Sequence, residues 1–473
     1  MNRNNIWIHL CLAVVLITLA AVMGQIRRWQ STIPSETPTV KKVKTVTVTR
    51  PDEEREPEVL VKFKPGVPAE EIKRITTKNN DRIEDSIESV KGLFSIDDLD
   101  NADAATVAAK YAELSEFVEY AEPNVRIELD PRESDRRLEE RDPTEPVDGI
   151  TPNDPYFNEQ WPLKNSGQEG GKSGADISAI KAWAKTTGDQ KIVVAVLDTG
   201  VDYTHVDLAA NMWFRPDSVP QYKDDDLGTV NDARGFNATK NSSDPMDENG
   251  HGTHCAGIIG AVGDNEEGVS GINWKVTIMP LKFLGRGGFG STKDAIEAIN
   301  YAIDRKRNGV NVRVISASWG STQYSKALGD AIRAAGDAGI LFVAAAGNSS
   351  TDNDSKPHYP SNYELPNVIS VAALDRFDAL ASFSNFGAKT VHVAAPGREI
   401  PSTWLNDDYR DASGTSMATP YVSGTAALVL ARESNLSVEQ LRERILKSVD
   451  PLESLKGKVA SGGRINALKS LGN

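Results

Sequence analysis

Residues 191–202 read KIVVAVLDTGVD, an unbroken apolar run that ends in a carboxylate and a Thr-Gly turn. A strand buried on one face alternates apolar and polar side chains, whereas a strand buried on both faces is apolar throughout, as in a parallel sheet. The same texture recurs in VTIMPLKFL (276–284), VRVISASW (312–319), ILFVAAAGN (340–348), NVISVAAL (367–374) and TVHVAAPG (390–397). Between these runs, Ser291–Arg307 sets Ala295, Ile296, Ile299, Ala302 and Ile303 on one helical stripe, and Ser325–Gly339 does so with Leu328, Ile332 and Ala335. Buried strands alternating with amphipathic helices predict a doubly wound α/β domain with a mostly parallel sheet over residues 151–473. Ligands and catalytic groups gather at the carboxyl ends of such strands, and Asp198 stands at one.

Upstream the pattern changes. Glu58–Phe63 alternates as a strand, Pro68–Asn80 reads as a helix, and Asp81–Asp98 holds two strands broken at Lys91-Gly92. Ala104–Glu116 is an Ala-rich helix and Phe117–Asn124 another strand, followed by an extended VRIEL (125–129). The order β-α-β-β-α-β predicts a small ferredoxin-like α+β domain over 58–129. Residues 130–150 (DPRESDRRLEERDPTEPVDGI) are charge and proline, a linker with Arg136 and Arg137 as an obvious proteolytic target. Residues 30–57 read as a flexible spacer. Within 1–29, the apolar run Ile6–Gly24 lies between Arg3 and Arg27-Arg28, which makes it a signal peptide or a membrane anchor. Small residues before a cleavage point and the excess of positive charge after the run favour cleavage. The expected location is therefore extracellular or in the cell envelope, with membrane contact only through this segment.

The chain has 473 residues, and its 67 acidic against 53 basic side chains give a net charge of −14. Phosphate binding needs clustered Lys and Arg, so nucleic acid is not an expected partner. The two cysteines, Cys11 and Cys255, lie in unrelated apolar and small-residue runs, so no disulfide framework is expected.

Three polar clusters interrupt the apolar domain. The first is Asp198 with its turn, the second NGHGTHCAGIIG (249–260), and the third SGTSMATPYVSG (413–424). Singly, each has a bland reading: a turn-forming aspartate, a stray histidine, an N-capping serine. Together they supply a carboxylate, a base and a hydroxyl in the order Asp, His, Ser, which is what nucleophilic catalysis by serine requires. An α/β-hydrolase esterase uses the same groups in the order Ser, Asp, His and places its serine in G-x-S-x-G; Gly414–Ala418 lacks the second glycine. A non-catalytic scaffold is disfavoured because all three groups are present. His254 three residues after His251 does not read as a metal pair, since no glutamate lies between them as in H-E-x-x-H.

LDTGVD, GHGTHCAG, AAAGN and GTSMATP resemble the four signature segments of subtilisin-like serine peptidases, close to the thermitase branch, and the likeness runs through 151–473. The resemblance implies that Ser416 is the nucleophile, His251 the general base, Asp198 the orienting carboxylate and Asn348 an oxyanion donor. It implies that Ser318-Trp319-Gly320 and the glycine-rich edge with Gly285 and Gly288 pair with extended polypeptide substrates. Ser349, where some relatives carry an acid, implies a broad specificity with a neutral pocket for large apolar side chains, and Trp319 departs from the usual aliphatic residue there. A structural calcium ion is implied on Asp154, Asp207, the Asn265 side-chain oxygen and the carbonyls of Val262, Glu267 and Val269. Residues 223–232 and 237–244 are poorer candidates for calcium, the former reading as a solvated acidic loop and the latter carrying Lys240. The 58–129 domain resembles the family's propeptide, an intramolecular inhibitor and folding template released by cleavage in the 130–150 linker. The expected enzyme is a monomer, with a dedicated processing protease of narrow target as the alternative to a general one.

Overall fold

The computed structural model describes residues 59–130, 135–138, 149–224, 228–240 and 244–472. The export segment, the spacer and most of the charged linker lie outside the described residues.

The first part runs β1 (Val59–Phe63), a helix (Ala69–Asn79), β2 (Asp81–Ser86), β3 (Leu93–Asp98), a helix (Ala104–Ala112) and β4 (Val118–Pro123). Its antiparallel sheet has the order β2-β3-β1-β4. Alternation along β1 divides its side chains between two faces. Val59, Val61 and Phe63 pack with Ile72, Ile75 and Val107 of the two helices. Leu60 belongs instead to the core of the larger part, and Lys62 pairs with Asp330 at 2.8 Å. Two short strands follow, β5 (Arg126–Glu128) and β6 (Asp135–Arg137). The linker is therefore not structureless at 135–137, where β6 pairs antiparallel with residues 410–412 and Arg136 meets Asp411 at 2.9 Å.

The larger part adds β7 (Gly188–Asp198), a hairpin of β8 (Tyr222–Asp224) and β9 (Gly228–Val230), β10 (Phe236–Asn237), β11 (Lys275–Lys282), β12 (Phe289–Ser291) and β13 (Val312–Ala317). It continues with β14 (Leu341–Ala345), β15 (Val368–Leu374), β16 (Val393–Pro396), β17 (Ile400–Trp404), β18 (Asp408–Ala412), β19 (Asp450–Pro451) and β20 (Gly463–Arg464). Nine of these form one sheet in the order β10-β11-β7-β13-β14-β15-β16-β20-β19, parallel except at its β20-β19 edge.

Both faces of the sheet are covered, which is why its strands are continuously apolar. Ile192, Val194 and Val196 of β7 pack with Ile258 and Ile259 from the helix His251–Gly260 and with Val422 from the helix Thr415–Arg432. Val193, Ala195 and Leu197 of the same strand pack with the helices Thr292–Arg307 and Lys326–Asp337. Sequence predicts both of the latter helices, and each is capped as a polar N-terminus requires: Ser291 accepts from the Asp294 N–H and Ser325 from the Leu328 N–H.

The acidic stretch 223–232 is not simply a solvated loop. Asp232 is fully buried, with Arg305 at 2.9 Å, Arg215 at 3.0 Å and the Tyr301 hydroxyl at 2.9 Å. What conceals this is distance along the chain, since the arginine that neutralises Asp232 most closely stands on the helix Thr292–Arg307. Removing one partner of such a buried network strands a charge, which costs about 3–5 kcal/mol. Asp232→Ala should therefore lower stability by about that amount in a denaturant melt of a Ser416→Ala chain, in which self-digestion cannot intervene.

Candidate active site

The end of β7 and the start of the helix His251–Gly260 meet closely. A Cβ at Gly252 would lie 2.0 Å from the Gly200 carbonyl oxygen, so only glycine lets the helix abut the strand's turn. The Gly252 N–H also binds the Thr199 hydroxyl at 3.0 Å. This contact brings His251 Nδ1 to 2.7 Å from Asp198 Oδ1, with both side chains buried. The carboxylate fixes the ring with Nδ1 as donor, which leaves Nε2 as the basic nitrogen.

One turn on, Cys255 Sγ donates to the Ser416 carbonyl at 3.5 Å, so the same helix face carries His251 and touches the turn that bears Ser416. Cys255 is buried, as a small core residue is expected to be. Ser416 is the second residue of the helix Thr415–Arg432, where backbone N–H groups lack intrahelical partners and the dipole favours negative charge. Its hydroxyl donates to the Ser318 carbonyl at 3.0 Å, and the Ser318 hydroxyl donates to the Ser416 carbonyl at 2.8 Å. The serine side chain is thus held on the Ser318 carbonyl.

Asn348 follows β14 after Ala346-Gly347. Its Oδ1 accepts from the Thr415 N–H at 2.8 Å and the Thr415 hydroxyl at 2.9 Å. That fixes the amide so that Nδ2, buried and without a hydrogen-bond partner among the described residues, is an available donor. Thr415, which no sequence motif singled out for this task, holds the amide in place.

The segment before the linker lies against this site. β5 pairs antiparallel with β12, the Leu129 N–H binds the Gly288 carbonyl at 3.0 Å, and Glu128 bridges to Gly320 on the other side. Gly285 closes the turn below, accepting from the Gly288 N–H at 2.8 Å. Trp319 corrects the sequence expectation. Its indole N–H binds the Leu197 carbonyl at 3.0 Å and its ring lies 4.6 Å from Phe283, so it is buried under the sheet and does not shape the pocket. Alternation along the strand forces this: Ser318 and Gly320 face the site and Trp319 faces away. The pocket also holds a titratable side chain that the expectation of an apolar pocket did not include. His358, from the loop KPHYPSN, sits against Gly320 and Gly347, where added Cβ atoms would lie 2.0 and 3.0 Å from its ring. A lone histidine in a loop gives no motif, and only the three-dimensional approach reveals it. His254 binds the carbonyls of Ile400 and Arg410 at 3.0 and 3.2 Å, a structural role.

The loop after the His251 helix gathers the residues expected to hold calcium. Asp207 Oδ1 accepts from Asn265 Nδ2 and Oδ2 from the Val269 N–H, both at 3.0 Å, and the Val262 N–H binds the Asp207 carbonyl at 2.8 Å. The Asn265 Oδ1 accepts from the Glu267 N–H at 3.0 Å. Asp154 Oδ2 accepts from the Asp264 N–H at 2.8 Å and the Ser270 hydroxyl at 3.0 Å, while its Oδ1 is buried with no hydrogen-bond partner among the described residues. Burial pushes the Asp207 carboxyl up to about 8 and Asp154 up to about 6, and each is near enough to another acid to add repulsion. Two buried, mutually repelling carboxylates with an orphaned oxygen fit a hard divalent cation.

The model of the subtilase family matches residues 189–468. The thermitase of Thermoactinomyces vulgaris is 36% identical over 321 residues, covering 68% of this chain and 99% of that protein. A thermophilic serine proteinase of Bacillus sp. (strain AK1) is 36% identical over 316 residues, 67% of this chain and 70% of its own. The cell wall-associated protease of Bacillus subtilis (strain 168) is 36% identical over 310 residues, 64% of this chain and 31% of its own. The chain belongs to the subtilase family and is a serine endopeptidase. Within the family it is similar to the thermitase-like members.

Replacing Asn348 by alanine removes a donor useful only once negative charge develops, so kcat should fall by about 10²–10³-fold, the typical loss for one such donor, with KM little changed. Steady-state kinetics on a peptide substrate checks it.

Proposed function

We propose that this chain is an exported zymogen in which residues 58–129 inhibit a peptidase formed by residues 151–473, and that self-cleavage in the 130–150 linker releases it. The observation that carries this reading is β5, a segment of the first part laid as a strand between β12 and Gly320. Such strand addition is how an extended peptide binds a sheet edge, with main-chain bonds giving affinity. The ferredoxin-like first part supports the enzyme's helices as well. Glu122 accepts from the Lys326 N–H at 2.8 Å and the Ala327 N–H at 3.1 Å, and Asn124 from the Lys293 N–H at 2.9 Å, so it satisfies first-turn N–H groups that the Ser291 and Ser325 caps leave open. A folding-template role follows from those caps.

In the reaction, Ser416 attacks the peptide carbonyl while His251 Nε2 takes its proton and later delivers it to the departing amine. Asp198 holds the ring and stabilises the imidazolium. Asn348 Nδ2 and the Ser416 N–H receive the oxyanion. Gly288 and Gly320 bind substrate through their backbones, and Ser318 holds the nucleophile. Export rests on the apolar N-terminal run; among the described residues no helix is long and apolar enough to cross a membrane.

Ser416→Ala removes the nucleophile without disturbing packing. The full chain expressed in a host free of other proteases should accumulate uncut in the 130–150 linker while keeping its far-UV circular dichroism. Processed enzyme from this variant would refute self-cleavage.

We also infer that calcium binds at Asp154 and Asp207, with Asn265, Val262, Glu267 and Val269 completing the oxygen set. When bound, the ion neutralises the two carboxylates and ties the 154 segment to the loop after the His251 helix. A carboxyl whose folded pKa lies above its unfolded value takes up protons on folding, so its stabilisation is present at low pH and lost as the pH rises through the folded values, here about 6 and about 8. Calcium replaces those protons and binds better as they leave. The gap in Tm between calcium and chelator should therefore widen from about pH 5 to about pH 8, and Asp207→Asn should narrow it, as read by calorimetry on the Ser416→Ala chain.

A further inference from the structure

The primary pocket carries chemistry that the Asp198, His251 and Ser416 groups do not use. Glu128 pairs antiparallel with Gly320. In an antiparallel pair, moving two residues forward on one strand matches moving two residues back on the other. Asp130 therefore comes opposite Ser318, the residue whose carbonyl holds the Ser416 hydroxyl. This register sets the Asp130 backbone beside the residue that holds the nucleophile, and its side chain lies against His358, the ring that abuts Gly320 and Gly347.

At that place the Asp130 carboxylate meets an imidazole. His358 Nε2 lies 3.6 Å from Asp130 Oδ2, with side-chain exposures of 7% and 19%. Asp130 Oδ2 and His358 Nδ1 are buried and have no hydrogen-bond partner among the described residues. The ring is held by its own backbone. Ser321 and Tyr359 exchange two main-chain hydrogen bonds of 2.7 Å, and the His358 carbonyl accepts from the Ser361 hydroxyl at 2.6 Å. The two glycines make the room: a side chain at 320 or 347 would run into the ring. A carboxylate taken into a buried pocket is favoured only where a cation or a directed N–H meets it, and an imidazole supplies either. An apolar side chain in the same pocket would leave the His358 ring nitrogens desolvated and unpaired, which selects against it.

We propose that His358 is a specificity-determining residue and that this peptidase cleaves after acidic side chains, aspartate foremost. The proposal rests on the serine endopeptidase reading with Ser416 as nucleophile, and it replaces the apolar preference expected from sequence.

The test uses processed enzyme and three internally quenched peptides of sequence Val-Arg-Ile-Glu-Leu-Xaa-Ser-Arg, with Xaa aspartate, asparagine or leucine. Serine follows Xaa because the natural Pro131 nitrogen carries no hydrogen and makes a different kind of amide. Expected is a kcat/KM for aspartate at least tenfold above asparagine and leucine, with cleavage after Xaa located by mass spectrometry. His358→Leu should bring the aspartate-to-leucine ratio to one or below, and His358→Gln, which keeps an N–H, should retain part of the preference. Organophosphate labelling of Ser416 runs in parallel and separates the two readings. If Ser416 is labelled but leucine or asparagine is cleaved as well as aspartate, or no peptide is cleaved, the acidic pocket is wrong and the peptidase stands. An unlabelled Ser416 overturns the nucleophile assignment and the pocket with it.

Discussion

The approach of Gly252 to the turn after Asp198 is the constraint on which the rest depends. A carboxylate at a strand end and a histidine at a helix start come within hydrogen-bond distance only because nothing larger than hydrogen stands between the two backbones. The same helix then carries Cys255 against the Ser416 turn and runs directly into the loop 261–270, whose N–H groups bind Asp207 and Asp154. Catalytic geometry and the acidic loop thus share one rigid element. The calcium ion proposed at Asp207 would act on the site through the position of that helix and not through contact with substrate.

The first part of the chain answers needs that the larger part leaves open. Helix starts at 292 and 326 receive acceptors from Asn124 and Glu122, and the edge of β12 receives β5. Against this stands a local cost. Asp85 of the first part meets Asp224 and Glu297 of the larger, all three buried, and burial with the neighbouring acids holds the Glu297 carboxyl well above its ordinary range. Lys293 at 3.5 Å from Asp85 offsets part of that charge. An interface that fits at its caps and strands, yet crowds three carboxylates, suits the proposed zymogen, since a covalent tether supplies effective concentration that severed pieces would lack.

The sheet was legible because its physics is local. Each run of Val, Ile and Ala from 191 to 396 declared burial on two faces, and β7 uses both faces as that pattern demands. Asp198, His251, Ser416 and Asn348 drew notice for a different reason: small residues clustered around them mark close backbone approach, and the structure pairs Asp198 with His251 and sets Asn348 against Thr415, next to Ser416. What stayed hidden depends on partners far along the chain. Asp232 looked solvated because Arg305 lies 73 residues away, and the contact of Asp130 with His358 joins segments no spacing rule connects. Trp319 misled because its neighbours on the strand face the site, while the pleat turns it to the core.

Several polar atoms left without partners gather where chemistry is to be done. Asp198 Oδ2, Asn348 Nδ2 and His358 Nδ1 are each buried and unmatched among the described residues. A fold selected for stability alone would satisfy or delete such groups, because each unmade bond costs about 1–3 kcal/mol. Their positions show what each atom waits for. Thr415 binds the Asn348 amide through its oxygen and leaves Nδ2 unmatched, as the proposed oxyanion role requires, and two glycines leave room at the His358 ring for the side chain proposed to bind there. Stability given up at these atoms is recovered only with a ligand in place, and the chain's own β5 and Asp130 occupy that position first.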